Sequence, residues 1–365
     1  MEYRVIPHSG DKVSTIGIGA GSLREAAAGQ VEAILRTAME RGVNLMDTIM
    51  TDEKALPGMV SALKGNRDKM RLQMHFSAVY PNGIYARTRD LEQVKAGFQR
   101  ELKKYGTDYA DIGLIHCVDE DSDFQAVFDN GIFDYMLDLK KQGVVRNVGF
   151  ASHSPQICKR FLETGAIDIF MLSVNAAYDF APGDDGKLAI DRQRQELYQD
   201  CERRGVAITV MKPYGGGQLL AAGTSPFGKE MTAPQCIQYA LDRPGVVSCL
   251  TGVKSVREME DALAYYEADQ QARSYAFLGG LPRKDIQGAC LYCNHCQPCP
   301  KGIDIGMVNK YVDLARAGDE LAAEHYRKLE HHASDCIGCG ACEKRCPFGV
   351  SIRKRMQQTK ELFGE

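Results

Sequence analysis

Arg89-Asp-Leu-Glu-Gln-Val-Lys-Ala-Gly-Phe-Gln-Arg-Glu-Leu-Lys-Lys-Tyr105-Gly106, followed at a short distance by Ile112-Gly-Leu-Ile-His116, is one unit of a pattern that fills most of the chain. The first part is an amphipathic helix pattern that stops at a glycine suited to the left-handed position after a helix. The second part is a short apolar strand. Outward from it, strands are predicted at Ser14–Ile18, Asn44–Asp47, Arg71–Phe76, Asn147–Phe150, Ile169–Ser173, Ala207–Met211 and Val247–Thr251. Between them run helical patterns at Val31–Arg41, Phe133–Lys141, Arg192–Arg204 and Pro234–Asp242, with Gly42, Gly143 and Gly205 as further stops. Eight strands alternating with crossover helices predict an α/β fold, a closed parallel (β/α)8 TIM barrel, with a doubly wound open sheet as the competing architecture. The opening Tyr3–Val13, turning at Ser9-Gly10-Asp11, reads as a hairpin that plugs the barrel floor.

The pattern stops near Gly279-Gly280-Leu281-Pro282, which reads as a linker. Residues 1–278 are the expected barrel and 279–365 a second, helical ferredoxin-like domain. Two runs define the second domain, Cys290-Leu-Tyr-Cys293-Asn-His-Cys296-Gln-Pro-Cys299-Pro300 and Cys336-Ile-Gly-Cys339-Gly-Ala-Cys342-Glu-Lys-Arg-Cys346-Pro347. Three cysteines two residues apart can wrap one face of a cubane, and a fourth followed by proline ligates the other cluster. That rule assigns Cys290, Cys293, Cys296 and Cys346 to one [4Fe–4S] cluster, and Cys336, Cys339, Cys342 and Cys299 to the other. The first run is one residue short before Cys299, which leaves the exchange open. Structural zinc is the competing reading of CxxC pairs, but it gives no reason for two triple-cysteine turns each closed by Cys-Pro. Helical patterns at Ile305–Ala317 and Glu320–Leu329 separate the two runs.

Composition excludes several classes. Hydrophobic residues at 44% and charged residues at 25% are those of a soluble globular protein. A formal net charge of −3 gives no electrostatic case for nucleic acid or an anionic membrane. No apolar run reaches bilayer length and the start lacks a signal-peptide pattern. Cys117, Cys158, Cys201, Cys236 and Cys249 stand singly, as thiols do in a reducing compartment, so a cytoplasmic location is expected.

Functional groups of such a barrel sit at the C-terminal strand ends. Asp47 closes strand two, His75 strand three and His116 strand four, and together they are the candidate acid–base set. After strand seven, Lys212-Pro-Tyr-Gly215-Gly216-Gly217 offers a cation and a backbone nest for an anion. Lys254-Ser255 adds a cation and a hydroxyl at the next helix start, so a nucleotide or flavin phosphate is the candidate ligand there. Gly17-Ile-Gly19-Ala-Gly21 lacks the spacing of a dinucleotide fingerprint. The basic residues Lys344-Arg345 and Arg353-Lys354-Arg355 read as a solvated face, or as a patch that steers an acidic electron carrier.

Taken together, Arg41-Gly-Val-Asn-Leu-Met-Asp47-Thr48, Gly106-Thr-Asp-Tyr-Ala-Asp111, Leu114-Ile-His116, Val148-Gly-Phe150, Val210-Met-Lys-Pro213 and Cys296-Gln-Pro-Cys299-Pro-Lys-Gly302-Ile303 resemble the aldo-keto reductases that carry a C-terminal two-cluster ferredoxin domain. The resemblance implies a carbonyl-reducing site built from Asp, Tyr, Lys and His around a nicotinamide. Asp47 and His116 match two of these. Asp52 stands where the tyrosine should be, His75 where the lysine should be, Ser173 where a glutamine holds the carboxamide, and Asp261-Ala262 where a Glu-Asn pair holds adenine. Losing a general acid costs about 10²–10⁴-fold. A protonated His75 beside Asp47 would replace the missing cation.

The expected function is an iron–sulfur oxidoreductase acting on a small organic substrate of carbonyl type. Its cofactors would be two [4Fe–4S] clusters with NAD(P)H or a flavin, and its electron partner a ferredoxin, flavodoxin or flavoprotein. The competing expectation is a non-enzymatic electron-transfer subunit whose barrel docks a partner protein.

Overall fold

Eight parallel strands, paired in chain order, close into a barrel: β1 Ile16–Gly19, β2 Leu45–Asp47, β3 Arg71–Phe76, β4 Ala110–Ile115, β5 Val145–Ser152, β6 Ile169–Ser173, β7 Ala207–Met211 and β8 Val246–Thr251. The computed structural model describes residues 1–24, 26–49, 54–80, 85–182, 188–280, 288, 290, 296–316, 322–346 and 349–364. Closure is made by β8 returning to β1, with Cys249 opposite Ile16 and Thr251 opposite Ile18. The expected barrel therefore stands, and the open sheet does not.

The described residues form two compact units, Met1–Tyr214 with Ala233–Gly279, and Gly215–Thr232 with Gly280–Glu365. The sequence reading placed Gly215–Thr232 in the barrel domain, but here the segment groups with the C-terminal unit. One tie is the Gln218 side-chain amide, which donates to the Cys290 carbonyl at 2.6 Å. The linker positions Leu281 and Pro282 lie outside the described residues.

Alternation along each strand sends every second side chain into the barrel. Leu45, Ile112, Leu114, Ala151, Ile169, Met171, Ala207 and Val247 fill that interior, and Ile6 and Val13 of the opening hairpin join them from below. The hairpin strands Tyr3–Val5 and Lys12–Ser14 pair antiparallel, with Gly10 at φ 76° in the turn. The outer apolar layer, including Phe76, Phe98, Phe150, Phe161 and Phe170, joins strands to the surrounding helices. The helices Ala28–Glu40, Leu91–Lys104, Ile132–Lys141 and Arg192–Arg204 each end at or just before the glycine expected to stop them, and all four glycines are left-handed.

In the C-terminal unit, helices Ile305–Arg316, Ala322–Arg327, Ala341–Arg345 and Ile352–Phe363 surround a small core of Ile303, Val308, Tyr326, Ala333, Val350 and Met356. Cys290, Cys296, Cys299, Cys336, Cys342 and Cys346 pack against that core. Its helices match the two expected patterns within the described residues. No helix among the described residues is long and apolar enough to cross a membrane.

Close packing fixes one barrel position absolutely. A Cβ on Gly149 of β5 would lie 1.5 Å from the Ile169 carbonyl oxygen of β6. Gly149→Ala is expected to destabilise the barrel by at least about 3 kcal/mol, measured by denaturant unfolding followed by circular dichroism. Gly29, in the first turn of helix Ala28–Glu40, has nothing within 4 Å of its added Cβ. Gly29→Ala is expected to stabilise by about 0.5–1 kcal/mol.

Candidate functional site

The register places the groups that meet at the barrel mouth. Asp47 on β2 is level with Gln73 on β3, and His75 follows two residues later on the same face. His75 is level with Leu114 on β4, so His116 follows two residues beyond it, also inward. Asp47, Gln73, His75 and His116 are all buried. Of the three expected acid–base residues, the structure brings all three together.

Their contacts form a line. The Asp47 Oδ2 lies 2.7 Å from His75 Nε2 and accepts from the Gln73 amide at 2.6 Å. The Ile49 backbone N–H donates to Asp47 Oδ1 at 3.1 Å. Gln73 is held in turn by the Thr209 hydroxyl, which donates to its Oε1 at 3.0 Å. His75 Nδ1 lies 3.0 Å from His116 Nδ1, and His116 Nε2 lies 2.5 Å from the Tyr85 hydroxyl. With Asp47 ionised and both imidazoles neutral, one arrangement puts a hydrogen in every contact. Tyr85 O–H donates to His116 Nε2, His116 Nδ1–H to His75 Nδ1, and His75 Nε2–H to Asp47.

Tyr85 is the residue the sequence reading lacked. The tyrosine was sought five residues after Asp47, where Asp52 stands, and Asp52 lies outside the described residues. Tyr85 comes instead from the connection after β3. There Ala78–Val79 and Ala86–Arg87 pair antiparallel and Thr88 N–H donates to the Ser77 carbonyl, which folds the chain back over the strand ends. The signal that would have found it is Asn82-Gly83, a hairpin-turn pair between the two short segments.

Burial sets the protonation states at this end of the line. It holds the Tyr85 phenol well above its ordinary range, with the Cys117 thiol adding to it and Arg87 and Arg89 pulling the other way. Burial also holds His116 well below the ordinary imidazole range, helped by His75, Arg87 and Arg89. At neutral pH the line therefore carries a protonated phenol against a neutral imidazole.

A second network, also absent from the sequence reading, adjoins it. Cys117 follows His116 directly and takes a left-handed backbone at φ 49°. Its thiol donates to Asp119 Oδ2 at 3.3 Å and accepts from Arg87 Nη1 at 3.3 Å. Asp119 lies 3.1 Å from His153 Nδ1, and His153 Nε2 lies 3.1 Å from the Lys212 ammonium. The donor atoms of Cys117, Asp119 and His153 lie within 4.8 Å of one another, a spacing that could suit a metal ion. The hydrogens argue otherwise. Lys212 can only donate to Nε2, which leaves the imidazole proton on Nδ1 pointing at Asp119. Burial, then Lys212, lowers the His153 pKa, so this imidazole too is neutral.

Of the expected anion-site residues, Lys212, Lys254 and Ser255 belong to the barrel unit and Gly215, Gly216 and Gly217 to the other. The three glycines are left-handed, at φ 59°, 70° and 94°. The Ser255 hydroxyl caps helix Val256–Leu263 by accepting from Glu258 N–H at 3.1 Å. Glu258 Oε2 reaches back to the Lys254 N–H at 2.7 Å. The Ser255 hydroxyl and the Glu258 carboxylate thus already satisfy two backbone N–H groups at this helix start. The residues at this helix start therefore do not fit a nucleotide phosphate. The Ser173 hydroxyl, at the position where the resemblance expects a carboxamide-binding glutamine, is buried with no hydrogen-bond partner among the described residues.

The cysteines do fit an iron–sulfur cluster. Cys299 of the first run and Cys336, Cys339 and Cys342 of the second line one cavity, together with Ile303, Ile305, Ile352 and Met356. Tetrahedral zinc would draw four sulfurs to about 3.8 Å from one another, given a Zn–S bond of about 2.3 Å. Among the described residues, the one group of three donors within 4.8 Å is Cys117–Asp119–His153, which contains none of these sulfurs. These four thiols therefore do not stand at the spacing of a tetrahedral zinc site, and as a donor set of a three-cysteine turn plus a fourth cysteine they fit a cubane. Cys290, Cys296 and Cys346 lie in the same small core; Cys293 and Pro347 lie outside the described residues.

Cys299→Ser is expected to remove about half of the bound iron and one of two cluster signals in electron paramagnetic resonance. Retention of all iron with both signals would show that Cys299 is not a ligand. A second outcome concerns acid. Because His116 and His153 are held below their ordinary pKa, the unfolded chain takes up protons first as pH falls below about 6.5. Barrel stability is therefore full above that pH and is lost on acidification, by up to about 1.4 kcal/mol per pH unit for each group. Denaturant unfolding between pH 5 and 8 should show a shallower slope for His116→Gln than for wild type.

Residues 15–235 match the family model described as "Aldo/keto reductase family", and residues 289–351 match one described as "4Fe-4S dicluster domain". The "Uncharacterized oxidoreductase YqkF" of Bacillus subtilis is 20% identical over 295 residues, covering 72% of this chain and 90% of that protein. A shorter match of 80 residues at 29% identity, 20% of this chain and 18% of the other, is to the "Probable glycolate oxidase iron-sulfur subunit" of the same organism. Among solved structures, aldo-keto reductase AKR11C1 from Bacillus halodurans superimposes with a TM-score of 0.61 at 20% identity, over 75% of this chain and 94% of that one, a likeness of fold. With the family model covering more than half of its length, the chain belongs to the aldo/keto reductase family, an oxidoreductase that carries a 4Fe-4S domain behind its barrel.

Proposed function

We propose that the protein is a cytoplasmic iron–sulfur oxidoreductase whose barrel reduces a small carbonyl compound, or oxidises the corresponding alcohol. Protons would pass through Tyr85, His116, His75 and Asp47. The observation that carries this reading is the unbroken line of three hydrogen-bond contacts from the Asp47 carboxylate to the Tyr85 hydroxyl. Two [4Fe–4S] clusters, when bound, supply or accept electrons one at a time. No hydride step is assigned, because Glu258 occupies the helix start where a nucleotide phosphate was expected. A flavin or nicotinamide held in another way stays within the proposal as the two-electron partner.

Charge decides which way the line works. In the loaded state His75 carries a proton on each nitrogen, with Nε2–H facing Asp47, and His116 carries its single proton on Nε2. The carboxylate favours that charged form of His75. Reduction passes the Tyr85 hydroxyl proton to the substrate oxygen, the His116 Nε2 proton to Tyr85 and the His75 Nδ1 proton to His116 Nδ1, which restores the resting arrangement. In the oxidising direction each proton retraces one step: substrate hydroxyl to Tyr85, Tyr85 to His116 Nε2, His116 Nδ1 to His75. His75 with Asp47 stores the proton, His116 transmits it and Tyr85 exchanges it. His75 thus takes the place of the family's lysine, and Tyr85 that of its tyrosine.

With a panel of aldehydes, ketones and hydroxy acids and a reduced or oxidised viologen dye as electron partner, Tyr85→Phe is expected to lower turnover by about 10²–10⁴-fold with iron content unchanged. Asp47→Asn should shift the pH profile as well as the rate. The match to an iron–sulfur subunit favours a second reading, a non-enzymatic electron-transfer subunit. No turnover of any panel member by wild type, with clusters that still accept and release electrons, would select it.

A further inference from the structure

We propose that the face of the C-terminal unit around Ile337 and Cys339 is the docking surface for a small acidic one-electron carrier protein. The proposal rests on the 4Fe-4S reading of the cysteines and adds where and how the electron partner is recognised. Cys339 is exposed, whereas the neighbouring Cys336 and Cys342 are partly covered. Ile337, two residues before Cys339, is 60% exposed, the barest of the large apolar side chains among the described residues. A bare apolar residue beside a redox ligand supplies the centre of an interface, which a polar rim then completes.

The rim is cationic. The cavity ringed by the four cysteines is also lined by Lys301, Arg345 and Arg353 and, among the described residues, by no carboxylate. Arg345 is directed inward, donating to the carbonyls of Cys296 and Pro298 at 2.8 and 2.6 Å. Arg353 pairs with Glu343 at 2.8 Å. Lys301 and Lys344 are exposed and face solvent. The chain as a whole carries a formal charge of −3, so this concentration of cations is local. A small apolar centre inside a positive rim gives fast, salt-sensitive and short-lived association, which is what one-electron exchange at an exposed ligand needs. The step is a single electron passing between the partner's reduced centre and the cluster; no bond forms or breaks and no proton moves.

The test uses anaerobically purified holoprotein and reduced flavodoxin as the probe, with cluster reduction followed by stopped flow. The second-order rate is expected to fall at least about tenfold between low salt and about 0.5 M salt. Lys344→Glu should lower the low-salt rate by at least about threefold with iron content and cluster potential unchanged. Ile337→Ser should slow reduction without altering the salt slope, and double-stranded DNA should not compete. A salt-independent rate, an unaltered rate in Lys344→Glu, a loss explained by a shifted potential, or displacement by DNA would each overturn the proposal. Protein that holds no iron would instead remove the 4Fe-4S reading beneath it.

Discussion

A carboxylate in the dry interior of a barrel has to be answered by hydrogen-bond donors, and Asp47 is answered on both oxygens. An unpaired buried charge costs several kcal/mol, and breaking a buried pair leaves that cost exposed. Gln73, His75 and the Ile49 backbone supply the donors. Once Asp47 takes the Nε2–H of His75, the remaining hydrogens follow. The bare Nδ1 of His75 orients His116, and the bare Nε2 of His116 captures Tyr85. Four side chains from three strand ends and a hairpin are thus ordered by one ionised group. A lysine in place of His75 could pair with the carboxylate but could not accept a hydrogen bond on its far side, so the relay depends on the imidazole.

Much of this was legible in the sequence, for reasons that differ from part to part. The barrel was legible because the apolar strand pattern repeats eight times and four of the intervening helices stop at a glycine. Ends such as Arg71–Phe76, Ile169–Ser173 and Ala207–Met211 were located to the residue. The 4Fe-4S domain was legible because iron demands a fixed spacing of thiolates. Tyr85 was not, because its place is set by a hairpin in space and not by an offset from Asp47. Asp119 and His153 were missed for a related reason, since each looks ordinary until β4 and β5 are set side by side. Lys254-Ser255 shows the opposite failure. Ser255 and Glu258 have the spacing of a capping box, a motif readable without coordinates, yet the lysine drew the reading toward phosphate.

The division of the chain follows a division of labour in the chemistry proposed for it. Protons need short contacts, with donor and acceptor about 3 Å apart, and a rigid strand framework holds such contacts to the required accuracy. Electrons tolerate greater separation and need a thiolate cage with a controlled approach. The glycine run Gly215–Gly217 belongs to the second unit although it follows β7 directly, and Gln218 ties it to the Cys290 carbonyl.

Among the described barrel residues, three other than glycine adopt a left-handed backbone, and their positions carry a last consequence. Ser77 follows β3, Cys117 follows β4 and Lys212 follows β7. Each such conformation costs roughly 1–3 kcal/mol and survives only where the surroundings over-determine it. At Cys117 the surroundings are explicit: Arg87 and Arg89 both donate to its carbonyl, at 3.2 and 3.0 Å. Arg87 sits in the same short strand segment that delivers Tyr85, two residues away. The guanidinium that holds the strained turn after His116 therefore also anchors the hairpin carrying the phenol. Bending the chain sharply at residue 117 lets the imidazole before it and the carboxylate after it serve two different networks, one facing Tyr85 and the other His153. A relaxed backbone there would carry Asp119 along the strand direction and away from His153, so the strain is the geometric condition for having both networks at one rim.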